Sequence, residues 1–289
     1  MWSRGRLLGK GSFGVVSMAI SDPNHRFRCC FHHHLPHVMA AKSADITRSH
    51  SLEKEMKFLT LFKDSPHVLG FYGADITREN GEIFFNLLLE YASGGSLADL
   101  IKRGGGAGLP EVKVRSFTKS ILMGLSHIHG LGYVHCDIKP HNILLTTDSM
   151  QEEVVKLADF GLTKKAGTDY KVEKSGSGLR GTPLYIAPES ILKREYEPHS
   201  DIWSLGCTIL EMITGKPAWK MAENTETCAL VFKIGFTQEL PEIPSRVSRE
   251  AADFVRKCLL RDPKQRWTAE MLLQHPFVTE KVRWERELE

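Results

Sequence analysis

The sequence has no apolar run near the length of a membrane span, no secretory leader or transit peptide around Met1-Trp2-Ser3-Arg4-Gly5-Arg6, and no concentrated basic stripe. Each absence removes a class of function. A bilayer-crossing helix needs about 20 apolar residues, and a net charge of +3 over 289 residues is too small a surplus to direct the chain to nucleic acid. Cysteine is sparse: only Cys29 and Cys30 of the six are adjacent, which without a leader argues against a disulfide framework. A reducing intracellular compartment, cytoplasmic or nuclear or both, is the expectation. Internal repeats and long low-complexity tracts are also missing. What is present is ordinary globular material, 42% hydrophobic and 25% charged, enough for one large domain or one domain in two lobes.

To about residue 91 the chain reads mainly as short strands: residues 7–20, broken by three glycines, then 38–41 and 83–90. One helix is predicted among them, over 51–62, with Leu52, Met56 and Leu59 at helical spacing and Ser49 or Ser51 as N-cap. From Ala92 onward the pattern turns helical. Ser93-Gly94-Gly95-Ser96 reads as a hinge-like break before a helix at 97–101. Phe117, Ile121, Leu125 and Ile128 form one helix face, with Pro110 suited to an early helical position and Gly130 to the stop. Residues 202–213 are apolar nearly all round, the pattern of a helix buried in a core. Residues 102–108 and 163–181 read as exposed polar loops, and the second is long enough to expect a function for it.

Gly9-Lys10-Gly11-Ser12-Phe13-Gly14-Val15-Val16 has glycines where a turn must bring backbone amides close to phosphate oxygens without a Cβ clash. Dinucleotide-binding turns share such a pattern, but they open a helix, whereas Val15 and Val16 continue as a strand. A flap over phosphates is favoured over that turn and over a hairpin without a ligand. Lys42 ends the run Val38-Met39-Ala40-Ala41-Lys42, so apolar neighbours carry a cation inward, where it needs an anionic partner. Glu55 shares the helix face of Leu52, Met56 and Leu59 while Glu53 lies off it, which selects Glu55; two solvated surface glutamates are the bland alternative.

The run His135-Cys136-Asp137-Ile138-Lys139-Pro140-His141-Asn142 gathers charged and polar groups at offsets that phosphoryl transfer uses. Asp137 can accept or orient the proton of an attacking hydroxyl, Lys139 can offset charge on a phosphoryl group, and Asn142 can ligate Mg²⁺. Residues 143–145 and 154–158, around the turn-prone Thr147-Asp148-Ser149, read as a hairpin that returns Asp159 of Asp159-Phe160-Gly161 to Asn142 as a second metal ligand.

With these motifs, and with Ala187-Pro188-Glu189, Asp201-Ile202-Trp203-Ser204-Leu205-Gly206 and Arg266 in Asp262-Pro263-Lys264-Gln265-Arg266-Trp267, the chain resembles a eukaryotic protein kinase over residues 2–277. The resemblance implies an α+β two-lobed fold: a small antiparallel-sheet lobe with one key helix, residues 2–91, and a larger, mainly helical lobe, residues 92–277. Residues 278–289 would be a short charged tail, leaving no room for a separate regulatory domain. ATP with Mg²⁺ would lie between the lobes. The implied nucleotide contacts are Leu8, Gly9, Lys10, Gly11, Ser12, Phe13, Gly14 and Lys42, the backbone of Glu90-Tyr91-Ala92, and apolar walls from Val16, Ala40 and Leu144. Leu89 would guard the rear of the pocket. Glu189 and Arg266 are implied to pair internally and Asp201 to brace the catalytic loop. Lys139 and Thr182, in Gly181-Thr182-Pro183-Leu184-Tyr185, imply serine or threonine as acceptor. The stretches at 2–9, 67–73 and 135–139 look most like plant MAP kinase kinase kinases of the MEKK-like group, which implies a MAP kinase kinase as protein substrate. A kinase with another substrate and a pseudokinase scaffold are the rivals.

Cys136 stands where an arginine commonly orders the activation loop through a phosphate. Ordering by packing or by a partner is one expectation; a neutral substitution and a redox-sensing thiol are the others. Cys29, Cys30, His32, His33, His34 and His37 are dense in metal-ligand types but lack pair-and-loop spacing, so a solvated loop is expected there rather than a zinc site.

Overall fold

The computed structural model of the chain describes residues 2–11, 14–22, 35–147, 150, 152–168, 179–220 and 226–279. The first lobe is a five-stranded antiparallel sheet, β1 (Trp2–Gly11), β2 (Gly14–Ser21), β3 (Val38–Asp45), β4 (Phe71–Glu79) and β5 (Glu82–Leu89), in the order β1-β2-β3-β5-β4. Helix α1 (His50–Leu61) follows β3. The strand at 38–41 runs on to Asp45, because Lys42 and Ser43 are paired on both sides, to Val16 and Val15 of β2 and to Leu87 and Asn86 of β5. The sequence pattern does not announce β4. A register shift between Phe71 and Gly73 breaks its alternation, and pairing with β5 defines it instead.

Arg4 ties the first strand to the last. Its guanidinium donates to both Glu79 carboxylate oxygens at 2.9 and 2.8 Å, and to Ser43 Oγ and Asn86 Oδ1 at 2.8 Å each. Asn86 is fully buried, and its amide donates to Asp75 O, Thr77 Oγ1 and Phe84 O. A buried amide is tolerable in a sheet only when satisfied in this way.

The second lobe comprises β6 (Gly95–Ser96), α2 (Leu97–Arg103), α3 (Glu111–Gly130), β7 (Tyr133–Val134), β8 (Ile143–Thr147), β9 (Glu153–Leu157), β10 (Lys164–Lys165), α4 (Pro188–Leu192), α5 (Pro198–Thr214), α6 (Thr227–Phe236), α7 (Arg249–Cys258), α8 (Ala269–Leu273) and α9 (Pro276–Thr279). Its core helix is α5, every residue of which from Ser200 to Ile213 is buried. Phe117, Ile121, Leu125 and Ile128 of α3 are buried along one face. Helix α3 stops at Gly130 as expected, with a left-handed turn following at Gly132, φ +80°. Two details differ from the sequence expectation. Pro110 is the N-cap of α3 rather than a helical residue. Ser51 lies inside α1, while the hydroxyl of the N-cap Ser49 donates to Ile46 O and Glu53 Oε1 instead of capping the helix. Strands β8 and β9 form the antiparallel hairpin, its turn residues Asp148 and Ser149 lying outside the described residues. Among the described residues no helix is long and apolar enough to cross a membrane.

Candidate active site

Strands β1 and β2 pair antiparallel up to Gly11 and Gly14, so the described part of the glycine-rich segment continues as strand at Gly14 and opens no helix there. Leu8, Gly9, Lys10, Gly11 and Val16 line a cleft of about 800 Å³ shared with Ala40 and Lys42 of β3, Glu90 and Ala92 after β5, Leu144 of β8 and Asp159. Ser12 and Phe13 lie outside the described residues. Gly14 does not line this cleft. It faces Ser43, where a Cβ would sit 2.3 Å from the carbonyl oxygen, so the approach of β3 is what requires glycine at this position.

Lys42 Nζ donates to Glu55 Oε2 at 2.6 Å and to Asp159 Oδ1 at 3.0 Å. Of the two glutamates on α1, Glu55 is buried beside Lys42, while Glu53 is turned to Ser49. Burial opposes the lysine charge, but Glu55 and then Asp159 outweigh it and hold the pKa above the ordinary lysine value. Burial would likewise raise the Asp159 carboxyl, yet Lys42 outweighs it and keeps the group below the usual carboxylate range. Burial raises the Glu55 carboxyl above its ordinary value although Lys42 opposes this, so the shifts favour the charged form for Lys42 and Asp159.

Side chains of the 135–142 segment and Thr182 converge on one carboxylate. Asp137 Oδ2 accepts from Lys139 Nζ at 2.7 Å and from Asn142 Nδ2 at 2.8 Å, and Oδ1 accepts from Thr182 Oγ1 at 2.8 Å. Lys139 Nζ also donates to Thr182 Oγ1 at 2.7 Å. Thr182 lies 45 residues beyond Asp137, and the resemblance implies it only as a sign of acceptor class. Asn142 Nδ2 serves Asp137 O as well, at 2.9 Å, so its nitrogen end is committed and the side-chain oxygen is the end left for a cation. Ala158 N donates to Asn142 O at 2.9 Å, which brings Asp159 beside Asn142. An ionised carboxylate and an amide oxygen suit Mg²⁺, which takes oxygen ligands and commonly completes its shell with phosphate and water. Among the described residues no group of three or more His, Cys, Asp or Glu is placed to hold a metal. Cys29, Cys30 and His32 to His34 lie outside the described residues.

Asp201, buried at the start of α5, holds the loop from beneath. It accepts from His135 N at 2.8 Å, Cys136 N at 2.9 Å and His129 Nε2 at 2.9 Å. These bonds support Cys136 at φ +70°, a left-handed conformation that costs a non-glycine residue on the order of 1–3 kcal/mol. Asp159 is left-handed too, at φ +63°, so both segments that carry the candidate site residues hold a strained backbone position. Desolvation and then the Asp201 carboxylate push the half-buried Cys136 thiol far above its ordinary range. A redox sensor needs an accessible thiolate, so that expectation fails here. Deeper in the lobe, Arg266 Nη1 and Nη2 donate to Glu189 Oε1 and Oε2 at 2.6 and 3.0 Å.

The loop after Asp159 is held on both described flanks. Lys164 and Lys165 pair with Val134 and Tyr133, Ala166 N donates to Gly132 O, and Gly167 N donates to the Glu197 carboxylate. From the far side Arg180 Nη1 reaches Leu162 O at 2.6 Å, while Arg180 N donates to Tyr196 Oη at 2.8 Å. The space between Cys136, Arg180 and Tyr196 amounts to about 10 Å³, roughly one water and too little for a phosphate group. Thr163 is fully buried and Thr168 exposed, its hydroxyl donating to Lys165 O, so only the second is an accessible acceptor.

Comparison with known proteins agrees with this geometry. The family model described as "Protein kinase domain" matches residues 2–278. The chain is 46% identical over 278 residues to mitogen-activated protein kinase kinase kinase 20 of Arabidopsis thaliana, covering 96% of this chain and 78% of that protein. It is 38% identical to mitogen-activated protein kinase kinase kinases 17 and 18 of the same plant, covering 97% of this chain and 70% and 78% of theirs.

Proposed function

Because the chain belongs to the protein kinase family and is a serine/threonine protein kinase, we propose that it acts as a MAP kinase kinase kinase, phosphorylating serine or threonine of a MAP kinase kinase. The observation that carries the site assignment is the convergence of Lys139, Asn142 and Thr182 on Asp137 at 2.7–2.8 Å, in the cleft mouth opposite the Lys42–Glu55 pair. The acceptor hydroxyl oxygen forms a bond to the terminal phosphorus of ATP as the bond to the ADP oxygen breaks, and Asp137 takes or orients the hydroxyl proton. Lys139 offsets charge on the moving phosphoryl group, and Thr182 fixes the second Asp137 oxygen. Lys42, oriented by Glu55, positions the ATP phosphates. Mg²⁺ would be held by Asn142 and Asp159 and would supply positive charge against the phosphates. Leu8, Val16, Ala40 and Leu144 enclose the base, with the backbone of Glu90 and Ala92 at its edge. The catalytic domain expected at residues 2–277 runs on through α9 to Thr279, with Val278 buried, and its lobes meet near residues 91 and 92.

The test is transfer of phosphate from Mg-ATP by the purified chain to a kinase-dead MAP kinase kinase, with Lys42→Met as control. Transfer well above the control is expected. Transfer to other proteins with none to the MAP kinase kinase would keep the kinase and remove the cascade placement.

Activity is further proposed to need no phosphate in the pocket beside Cys136, the loop being ordered by packing or by an activating partner. The Arg180–Leu162 and Gly167–Glu197 contacts support this, as does the small space around Cys136. A chain carrying Thr168→Ala, Ser175→Ala and Ser177→Ala is expected to keep its kcat within about threefold, since no phosphate is then needed to order the loop. Loss of activity in that variant, with the protein folded, would overturn the proposal.

A further inference from the structure

Behind the cleft, on the side away from the proposed catalytic groups, lies a charged contact that the transfer chemistry does not use. Glu90 follows β5, and its backbone lines the cleft, but its side chain points backward. Lys156 Nζ donates to both carboxylate oxygens, at 2.8 Å each, and Gly70 N donates to Oε2 at 2.9 Å. Both charged side chains are largely covered, 20% exposed for Lys156 and 18% for Glu90. The backbone repeats the contact: Glu90 N donates to Gly70 O at 2.8 Å.

The three residues come from three separate elements. Glu90 belongs to the connection between the lobes. Gly70 precedes β4 in a segment zipped to β9, where Leu69 N donates to Leu157 O and Leu157 N to His67 O. Lys156 lies on β9, paired with Leu144, whose side chain lines the front of the cleft. One lysine thus joins the back of the lobe connection to the strand whose partner forms the floor of the nucleotide cleft. Glycine at 70 keeps the carboxylate close, for a Cβ there would lie 3.0 Å from Glu90 Oε2. Tyr72 lies close enough that burial and then the Glu90 charge push its hydroxyl up to about 12.

We propose that Lys156 is a positioning residue for nucleotide binding: by clamping the Glu90 carboxylate from behind, it fixes the backbone of residues 90–92 as the edge against which the purine is held. The proposal rests on the ATP assignment above. Without the clamp the connection retains its backbone bond to Gly70, so the fold survives, but the amide and carbonyl groups facing the cleft lose their fixed orientation. Bonds to a charged group contribute more than neutral ones, and this one is partly screened by its exposure. The loss should fall on ATP affinity and leave the transfer step intact.

The experiment measures KM for ATP, KM for the protein acceptor, kcat and the melting temperature for the full chain and for Lys156→Met, Lys156→Arg and Gly70→Ala. Binding of a fluorescent ATP analogue is measured alongside. Lys156→Met is expected to raise KM for ATP and the analogue Kd by about three- to tenfold, with kcat and the acceptor KM within about twofold. Lys156→Arg, which can also span two oxygens, should recover most of the affinity, and Gly70→Ala should reproduce the loss with the lysine intact. If Lys156→Met fails to fold, Gly70→Ala and Lys156→Arg carry the test. ATP affinity unchanged in both Lys156→Met and Gly70→Ala overturns the clamp and leaves the kinase assignment standing. An equal weakening for ATP and acceptor, with no recovery in Lys156→Arg, also overturns it. A parent chain that binds no analogue overturns the ATP assignment, and the clamp with it.

Discussion

An Asp137→Asn chain is expected to transfer phosphate roughly 10²- to 10⁴-fold more slowly than the parent at saturating Mg-ATP, the span that a positioned general base contributes. The substitution preserves size and one oxygen. Thr182 Oγ1 could still donate to that oxygen, but the amide nitrogen would then face two donors, Lys139 Nζ and Asn142 Nδ2, which Oδ2 accepts in the parent. The loss therefore combines a missing proton acceptor with a repulsive contact at Lys139 and Asn142. Steady-state kinetics with a thermal melt separates the two, because loss of the proton acceptor alone changes kcat without moving the melt. A kcat within about threefold of the parent would remove Asp137 from the role assigned to it. Lys42→Met differs in kind: it leaves Glu55 and Asp159 facing each other without a cation, so its rate loss should be accompanied by lower stability.

The largest expected effect on stability lies far from the cleft. Arg266 is wholly enclosed and grips Glu189 through two bonds, with further bonds from Nε to Leu260 O and from Nη1 to His199 O, and its guanidinium lies 5.2 Å from the Trp203 ring centre. Arg266→Met keeps much of the volume but strands a buried carboxylate and two carbonyls. Breaking one side of a buried ion pair costs about 3–5 kcal/mol, against a total stability of roughly 5–15 kcal/mol for a native protein. Urea unfolding of the variant should show that loss, and adding Glu189→Leu should restore a good part of it. A single-variant loss below about 1 kcal/mol would mean that water or a local shift relieves Glu189.

What the sequence disclosed and what it withheld divide by distance along the chain. The run from His135 to Asn142 is legible because its groups act at fixed short offsets, and the helical face shared with Leu52, Met56 and Leu59 distinguishes Glu55 from Glu53. Strand β4 was hidden because a bulge and polar outer residues erase its alternation, and only β5 defines it. Thr182, Arg180 and Lys156 were hidden for another reason. Their partners, Asp137, Leu162 and Glu90, lie 45, 18 and 66 residues away, and no local pattern marks such a pairing. Gly14 shows a motif position whose residue type has more than one cause: the motif calls for glycine near phosphate, while the structure calls for it where β3 approaches.

The protonated state of Cys136 also bears on inhibitor chemistry. A cysteine beside a nucleotide cleft invites electrophilic warheads, whose rate follows the thiolate fraction. Here desolvation and the Asp201 carboxylate keep the sulfur protonated, and its main-chain N–H is tied to the same carboxylate. An acrylamide or chloroacetamide designed against this position would have to reach a chemically quiet thiol that lines a separate small space with Arg180 and Tyr196, so potency would have to come from reversible contacts in the cleft itself.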